Sequence, residues 1–136
     1  MPRDLHETRT KLEAAICAEM GRQELPHEHR TLHYRIRMKS KKIAKYEPAI
    51  VVRRGPILFL VEPSSSLGAA VDRLTQFLDQ HSPEIVMAVV APPRLAAKLS
   101  PESYDELYEE KNVTGLVERI RRQNPAGAVL LFRKRR

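Results

Sequence analysis

The sequence predicts an α/β domain built on a mixed sheet. Two continuously apolar runs, AIVV at 49–52 and ILFLV at 57–61, are separated only by Arg53-Arg54-Gly55-Pro56, a short glycine-containing connector of the hairpin kind. A third run, IVMAVVA at 85–91, follows the amphipathic stretch SSSLGAAVDRLTQFLDQH. Strand, helix and strand in that order imply a right-handed parallel crossover. Runs without polar alternation belong to strands covered on both faces, so helices are expected on either side of the sheet.

The elements follow in chain order. A helix is expected over 5–20, capped by Asp4 with Glu7 three residues on. Leu12, Ala15, Ile16 and Met20 repeat at helical spacing on its core face, and Gly21 suits its C-terminal cap. Residues 30–45 then change to a period of two. In HYRIRMKSK, His33, Arg35, Arg37, Lys39 and Lys41 alternate with Tyr34, Ile36, Met38 and Ser40. Successive side chains of a strand point to opposite faces, so one face is a row of cations. A helix would scatter them round its circumference.

Ser66 is the expected N-cap of the next helix, whose stripe is Leu67, Ala70, Val71, Leu74 and Leu78. After Pro92-Pro93 comes a short helical stretch, RLAAKL. Ser100-Pro101 opens an acidic helix over 101–110, with serine at the cap and proline at the first position. Tyr104, Leu107 and Tyr108 form its stripe at i, i+3 and i+4. Val113 begins a short strand, Thr114 caps a last helix, GLVERIRRQ, and Asn124-Pro125-Ala126-Gly127 turns the chain into a closing strand, AVLLF. A chain of 136 residues is the size of one domain, here 1–136, with a single core.

Composition narrows the class. Hydrophobic residues are 42% and charged residues 30%, a globular balance. The apolar runs are strand-length, short of the ~20 residues of a membrane helix. The charged N-terminal stretch MPRDLHETRTKLE lacks the apolar region of a signal peptide. Cys17 is the one cysteine, which excludes an internal disulfide and fits a reducing cytoplasm. On a helix face it reads as packing, with a catalytic thiol as the rival. The net charge is +7. Nine Lys or Arg against Glu28 and Glu47 lie between His27 and Arg54, so that fifth of the chain equals the whole net charge. Arg133-Lys134-Arg135-Arg136 adds four cations, and SPESYDELYEE at 100–110 is the acidic counterweight.

Helix, three strands, helix, strand resembles the core of the PD-(D/E)XK nuclease superfamily, and weakly its small archaeal resolvase-like members. YEPAIVV resembles the strand entrance that usually reads Pro-Asp-Ile-Val. LFLVEPSSS resembles the strand end that usually reads Glu-x-Lys. The likeness covers roughly residues 5–91. It implies a restriction-endonuclease-like αβββαβ core with a mixed central sheet flanked by helices, here with C-terminal helices and a closing strand added. It further implies an aspartate and a glutamate holding Mg²⁺ and a lysine assisting the attacking water. A hard cation on carboxylate oxygens lowers the pKa of bound water and neutralises developing charge. Those three positions fall on Ala49, Glu62 and Ser64, so only Glu62 has the required chemistry. Glu47, on the same strand parity as Ala49, or Glu13 or Glu19 on the first helix could complete a metal site. Arg53 or Arg54 could stand for the lysine, although a guanidinium is a poor base. Otherwise Glu62 is a relic or a structural hydrogen-bond acceptor.

The basic strand is the strongest functional signal. Arg35, Arg37, Lys39 and Lys41, with Arg53, Arg54, Arg133 and Lys134, are candidate phosphate contacts, since neutralising phosphates releases counterions. The rival is a solvated face that blunts edge-to-edge aggregation. Tyr34 and Tyr46 are candidate base-stacking platforms, with core packing favoured. His27, His29 and His33 share strand parity around Glu28, a spacing that could hold zinc, but no cysteine is expected to support such a site, and the rival is solvent-exposed or phosphate-contacting histidines. The serines after Glu62 could meet a phosphate at a helix N-terminus, with simple capping favoured.

The expectation is a cytoplasmic protein that binds nucleic acid, DNA in the first instance. It sits on a degenerate nuclease fold, without catalysis, cofactor or membrane contact. The alternatives are a Mg²⁺-dependent nuclease using Glu62 with Glu13, Glu19 or Glu47, and a protein-interaction scaffold whose basic and acidic faces pair in a homodimer.

Overall fold

The computed structural model describes residues 7–64, 69–81 and 85–123. The elements are α1 (Lys11–Arg22), β1 (Glu28–His29), β2 (Tyr34–Arg37), β3 (Ile43–Tyr46), β4 (Ile50–Arg54), β5 (Ile57–Pro63), α2 (Ala69–Gln80), β6 (Ile85–Ala91), α3 (Pro93–Ala96), β7 (Glu106–Glu109) and α4 (Val113–Arg121). Five strands form a mixed sheet in the order β1-β4-β5-β6-β7, and β2-β3 is a separate hairpin. β1 and β5 run antiparallel to β4, while β6 and β7 run parallel to their neighbours. The α/β class and the mixed sheet are as the apolar runs predict.

Both faces of the sheet are covered. Ile50, Val52, Phe59, Val61, Val86, Ala88 and Val90 pack with Ile16 and Met20 of α1 and Leu116, Val117 and Ile120 of α4. The alternate residues Val51, Leu60, Met87 and Val89 pack with Leu74, Phe77 and Leu78 of α2, Leu95 of α3, and Ile36 and Tyr46 of the hairpin. This two-sided burial is why β4, β5 and β6 read as unbroken apolar runs. β4 and β5 meet at the pair Arg54↔Ile57. Gly55 takes a φ of 61° in the two-residue loop, a conformation such tight loops require and glycine accepts without strain.

α1 begins later than the sequence suggests. Its N-cap is Thr10, whose hydroxyl accepts from the Glu13 N–H at 3.0 Å; Asp4 and Leu5 lie outside the described residues. It also runs past Gly21. Glu24 has a φ of 57°, its N–H donates to the Gly21 carbonyl at 3.1 Å, and the Leu25 N–H donates to the Met20 carbonyl at 2.8 Å. Those two bonds, with Met20 and Leu25 in one core cluster, are a Schellman ending with glutamate at the left-handed position. A glycine there relieves the Cβ conflict. Glu24→Gly is therefore expected to raise stability by about 0.5–1 kcal/mol, read from the urea midpoint at unchanged slope. An unchanged or lower midpoint would contradict the motif.

The basic stretch is two strands instead of one. Met38 and Lys42 close a turn, the Met38 N–H donating to the Lys42 carbonyl at 2.9 Å and the Lys41 N–H to the Met38 carbonyl at 2.8 Å. Lys41 carries a φ of 69°, so Lys39 and Lys41 sit in the turn and do not continue the strand's outer face.

The acidic stretch is not a helix. Residues 101–103 make one 3-10 turn, with Ser100 capping it, and 106–109 form the edge strand β7 beside β6. Leu107 therefore packs towards α2 and α3, and Tyr108 towards α1 and α4. Val113 starts α4 directly, with Asn112 as N-cap in place of Thr114. The expected Ser66 cap, the turn at 124–127, the closing strand 128–132 and the basic tail lie outside the described residues.

Candidate nucleic-acid interface and the Glu62 site

In the hairpin, Arg35 stands opposite Lys45 and Arg37 opposite Ile43. All four side chains are exposed, Ile43 by 58%. Lys39, Lys41 and Lys42 extend this surface round the turn and are exposed as well. Among the described residues, ion pairs involve none of Arg35, Arg37, Lys39, Lys41, Lys42 and Lys45.

The inner face explains why the cations point outwards. Tyr34, Ile36 and Tyr46 pack on α2, where the Phe77 ring lies 4.8 Å from both tyrosine rings. Tyr46 and Ile36 are buried. Tyr34 stacks over Tyr46 and touches His81. Both tyrosine rings thus pack against α2, Tyr46 buried and Tyr34 half-buried. The Gln80 side chain accepts from the Arg37 N–H at 2.9 Å and donates to the Arg37 carbonyl at 2.7 Å. That clamp ties the hairpin to the end of α2 and occupies an edge that would otherwise invite another strand.

The other predicted phosphate contacts sit elsewhere. Arg53 pairs with Glu28 at 3.1 Å. Arg54 donates to the carbonyls of Arg121 and Gln123 at 2.9 and 3.1 Å, satisfying the open carbonyls at the end of α4. Both lie at the turn end of β4, about 13–17 Å along the strand from the residue opposite Glu62. Both are thus tied to partners at the far end of the strand from Glu62. Arg133 and Lys134 are outside the described residues.

Glu62 is the penultimate residue of β5, on the α2 and hairpin side. The Tyr46 hydroxyl donates to its Oε2, and the Ala49 N–H donates to the same oxygen at 3.1 Å. Ala49 and Glu62 therefore do meet at the end of two paired strands. Burial pushes the Glu62 carboxyl up to about 7, against the Tyr46 and Ala49 hydrogen bonds and the nearby Arg30, which pull it down. Burial, together with the Glu62 charge and hydrogen bond, holds the Tyr46 hydroxyl well above its ordinary value, so it remains a donor. Tyr46→Phe would leave this half-buried carboxyl oxygen with the Ala49 N–H alone. It is expected to cost about 1–3 kcal/mol, measured by denaturant titration at pH 8, where Glu62 is ionised. A cost below about 0.5 kcal/mol would contradict the assignment.

The carboxylates expected to join Glu62 are committed to other work. Glu13 is fully buried at 0% on α1, across the sheet. It accepts from Arg30 at 2.8 and 2.6 Å, from His29 Nδ1 at 2.8 Å and from the Arg9 N–H at 3.2 Å. Burial alone would raise its pKa, but the bonds from Arg30, His29 and Arg9 outweigh that and lower it. Glu19 pairs with Arg22 and Gln23, which lower it to about 2. Glu47 is exposed and pairs with His33 at 3.0 Å. Among the described residues, no group of three His, Cys, Asp or Glu ligand atoms within 4.8 Å includes Glu62.

One such group does form, from Cys17, His27 and His29. Sequence parity pairs the histidines, but not the cysteine. Cys17 lies one helical turn after Glu13, so both project from one side of α1. They meet residues 27 and 29, two apart on the facing chain. That matched spacing is the signal the sequence offers. His33 is not part of the group. Comparison with known proteins returns no matching family model, curated protein or solved structure. No helix of the described residues is long and apolar enough to cross a membrane.

Proposed function

We propose that this protein binds nucleic acid, DNA in the first instance, through the phosphate backbone, using the outer face and turn of the β2-β3 hairpin. The carrying observation is the register pair Arg35↔Lys45, exposed beside Arg37. The neighbouring turn cations are likewise without ion pairs among the described residues. Contacts of this kind give affinity and orientation with little sequence readout. The fold reading goes with it: a degenerate PD-(D/E)XK scaffold in a cytoplasmic protein, without phosphodiester hydrolysis. What supports that reading is the meeting of Ala49 and Glu62, with an alanine where a second carboxylate is needed and a tyrosine and an amide on the glutamate oxygen. A hard cation needs several oxygen ligands, and Glu13, Glu19 and Glu47 are engaged elsewhere.

The test is a titration of labelled linear and branched DNA with Mg²⁺ at two salt concentrations, followed by a denaturing gel. Salt-sensitive binding with intact strands is expected. Cleavage that Glu62→Ala abolishes would overturn the non-catalytic half. Absence of binding would overturn the rest, and salt-sensitive self-association in its place would favour pairing of basic and acidic faces between copies.

A further inference from the structure

We propose that Cys17, His27 and His29 form a binding site for a divalent transition metal of the zinc class, independent of the hairpin surface and of Glu62. The three ligand atoms lie within 4.8 Å of one another, and Cys17 Sγ is 3.2 Å from His27 Nε2. With metal–nitrogen bonds of about 2.0–2.1 Å and a metal–sulfur bond of about 2.3 Å, tetrahedral ligand atoms stand roughly 3.3–3.6 Å apart. Small side-chain adjustments therefore bring the three onto one ion.

The second layer of contacts suits ligation. His27 Nδ1 faces the Leu25 carbonyl at 2.9 Å. A carbonyl only accepts, so Nδ1 carries the proton and Nε2 presents its lone pair towards Cys17. His29 Nδ1 faces Glu13 Oε2 at 2.8 Å. Glu13 is held as a carboxylate by Arg30 on both oxygens, so it too only accepts. Nε2 is then the atom through which His29 would ligate. A carboxylate or carbonyl on the far nitrogen of a histidine is the arrangement that orients metal ligands and raises their basicity. The left-handed backbone of Arg30, φ 53°, assists: successive strand residues would point apart, yet His29 and Arg30 both reach Glu13.

The donor set selects the ion. One thiolate and two imidazoles favour zinc-class metals over Mg²⁺ or Ca²⁺. Three protein ligands leave one coordination position for water or another group. Cys17 and His27 are only partly buried, which gives the ion a way in. On binding, a metal–sulfur bond forms, the Cys17 S–H bond breaks and its proton passes to solvent, one per ion. The ion would fasten α1 to the segment that leads into β1.

The test uses reduced, chelator-treated full-length protein titrated with Co²⁺ and then with Zn²⁺. Expected are one equivalent of Co²⁺ bound, a thiolate-to-cobalt charge-transfer band, and its loss as Zn²⁺ displaces the cobalt. Cys17→Ser should abolish the band. His27→Ala and His29→Ala should each weaken binding at least tenfold, and His33→Ala should bind like the wild type. Zn²⁺ should raise the wild-type Tm and leave that of Cys17→Ser unmoved. If His29→Ala fails to fold, Cys17→Ser and His27→Ala, at partly exposed positions, still decide. No band in the wild type, a band retained by Cys17→Ser, or equal affinity in His27→Ala would overturn the proposal.

Discussion

Replacing Arg35, Arg37 and Lys45 together by glutamate is expected to weaken DNA binding by about 10²–10³-fold at 0.1 M salt. Six cations occupy the outer face and turn of the hairpin: Arg35, Arg37, Lys39, Lys41, Lys42 and Lys45. If each neutralises one phosphate, log K against log salt should slope by about −5. Losing three contacts should bring the slope to about −2.5. The substitutions sit on exposed positions, where changes away from special features usually move stability by about 0.5 kcal/mol or less. The fold should therefore survive, and a circular dichroism melt checks that it does. An exchange of Arg53 and Arg54 tests a different surface. Arg54→Ala should loosen the end of α4 while leaving the salt slope within about one unit, because its guanidinium holds two carbonyls. A slope that stays near −5 in the triple variant would remove the hairpin from the account.

The second large effect is on stability and depends on pH. The Glu62 carboxyl is raised from 4.5 to about 7 on folding. The folded protein thus holds this proton more tightly than the unfolded chain. The stability so gained is full below pH 4.5 and is lost as pH rises through about 7. Every tenfold gain in proton affinity is worth about 1.36 kcal/mol, so between pH 5 and pH 8 the wild type should lose about 2–3 kcal/mol through this group. Glu62→Gln keeps a carbonyl oxygen for Tyr46 and Ala49 but has no proton to lose. The difference between the two proteins cancels other titrating groups. The glutamine variant should therefore gain on the wild type by about 2–3 kcal/mol from pH 5 to pH 8. Parallel stability curves over that range would show that Glu62 is not held against its charge.

The central sheet is legible in the sequence because β4, β5 and β6 bury both faces, so side-chain alternation cannot hide them. The hairpin is not. Its cations alternate through the turn as they would along one strand, and Lys41 takes the left-handed conformation with no glycine or asparagine to mark it. The acidic strand misleads for the opposite reason. Ser100-Pro101 does cap a helical turn, but the turn ends at Ser103. Leu107 and Tyr108 then bury on opposite faces, an arrangement that i, i+3, i+4 spacing imitates. Glu62 stands out as the lone carboxylate at a strand end. Its partner Tyr46 does not, because that contact depends on the hairpin folding back over α2. Cys17 reads as helix packing because its partners lie ten and twelve residues away on a segment with little regular structure.

The most direct test of the account is an amide chemical-shift map of the ¹⁵N-labelled protein titrated with a short DNA duplex at low salt. The hairpin predicts shifts concentrated on residues 33–45, strongest at Arg35, Arg37 and Lys45, and fading together as salt is raised. Shifts that gather on β7, on α4 or at the Gly55 turn while residues 33–45 stay still would contradict it.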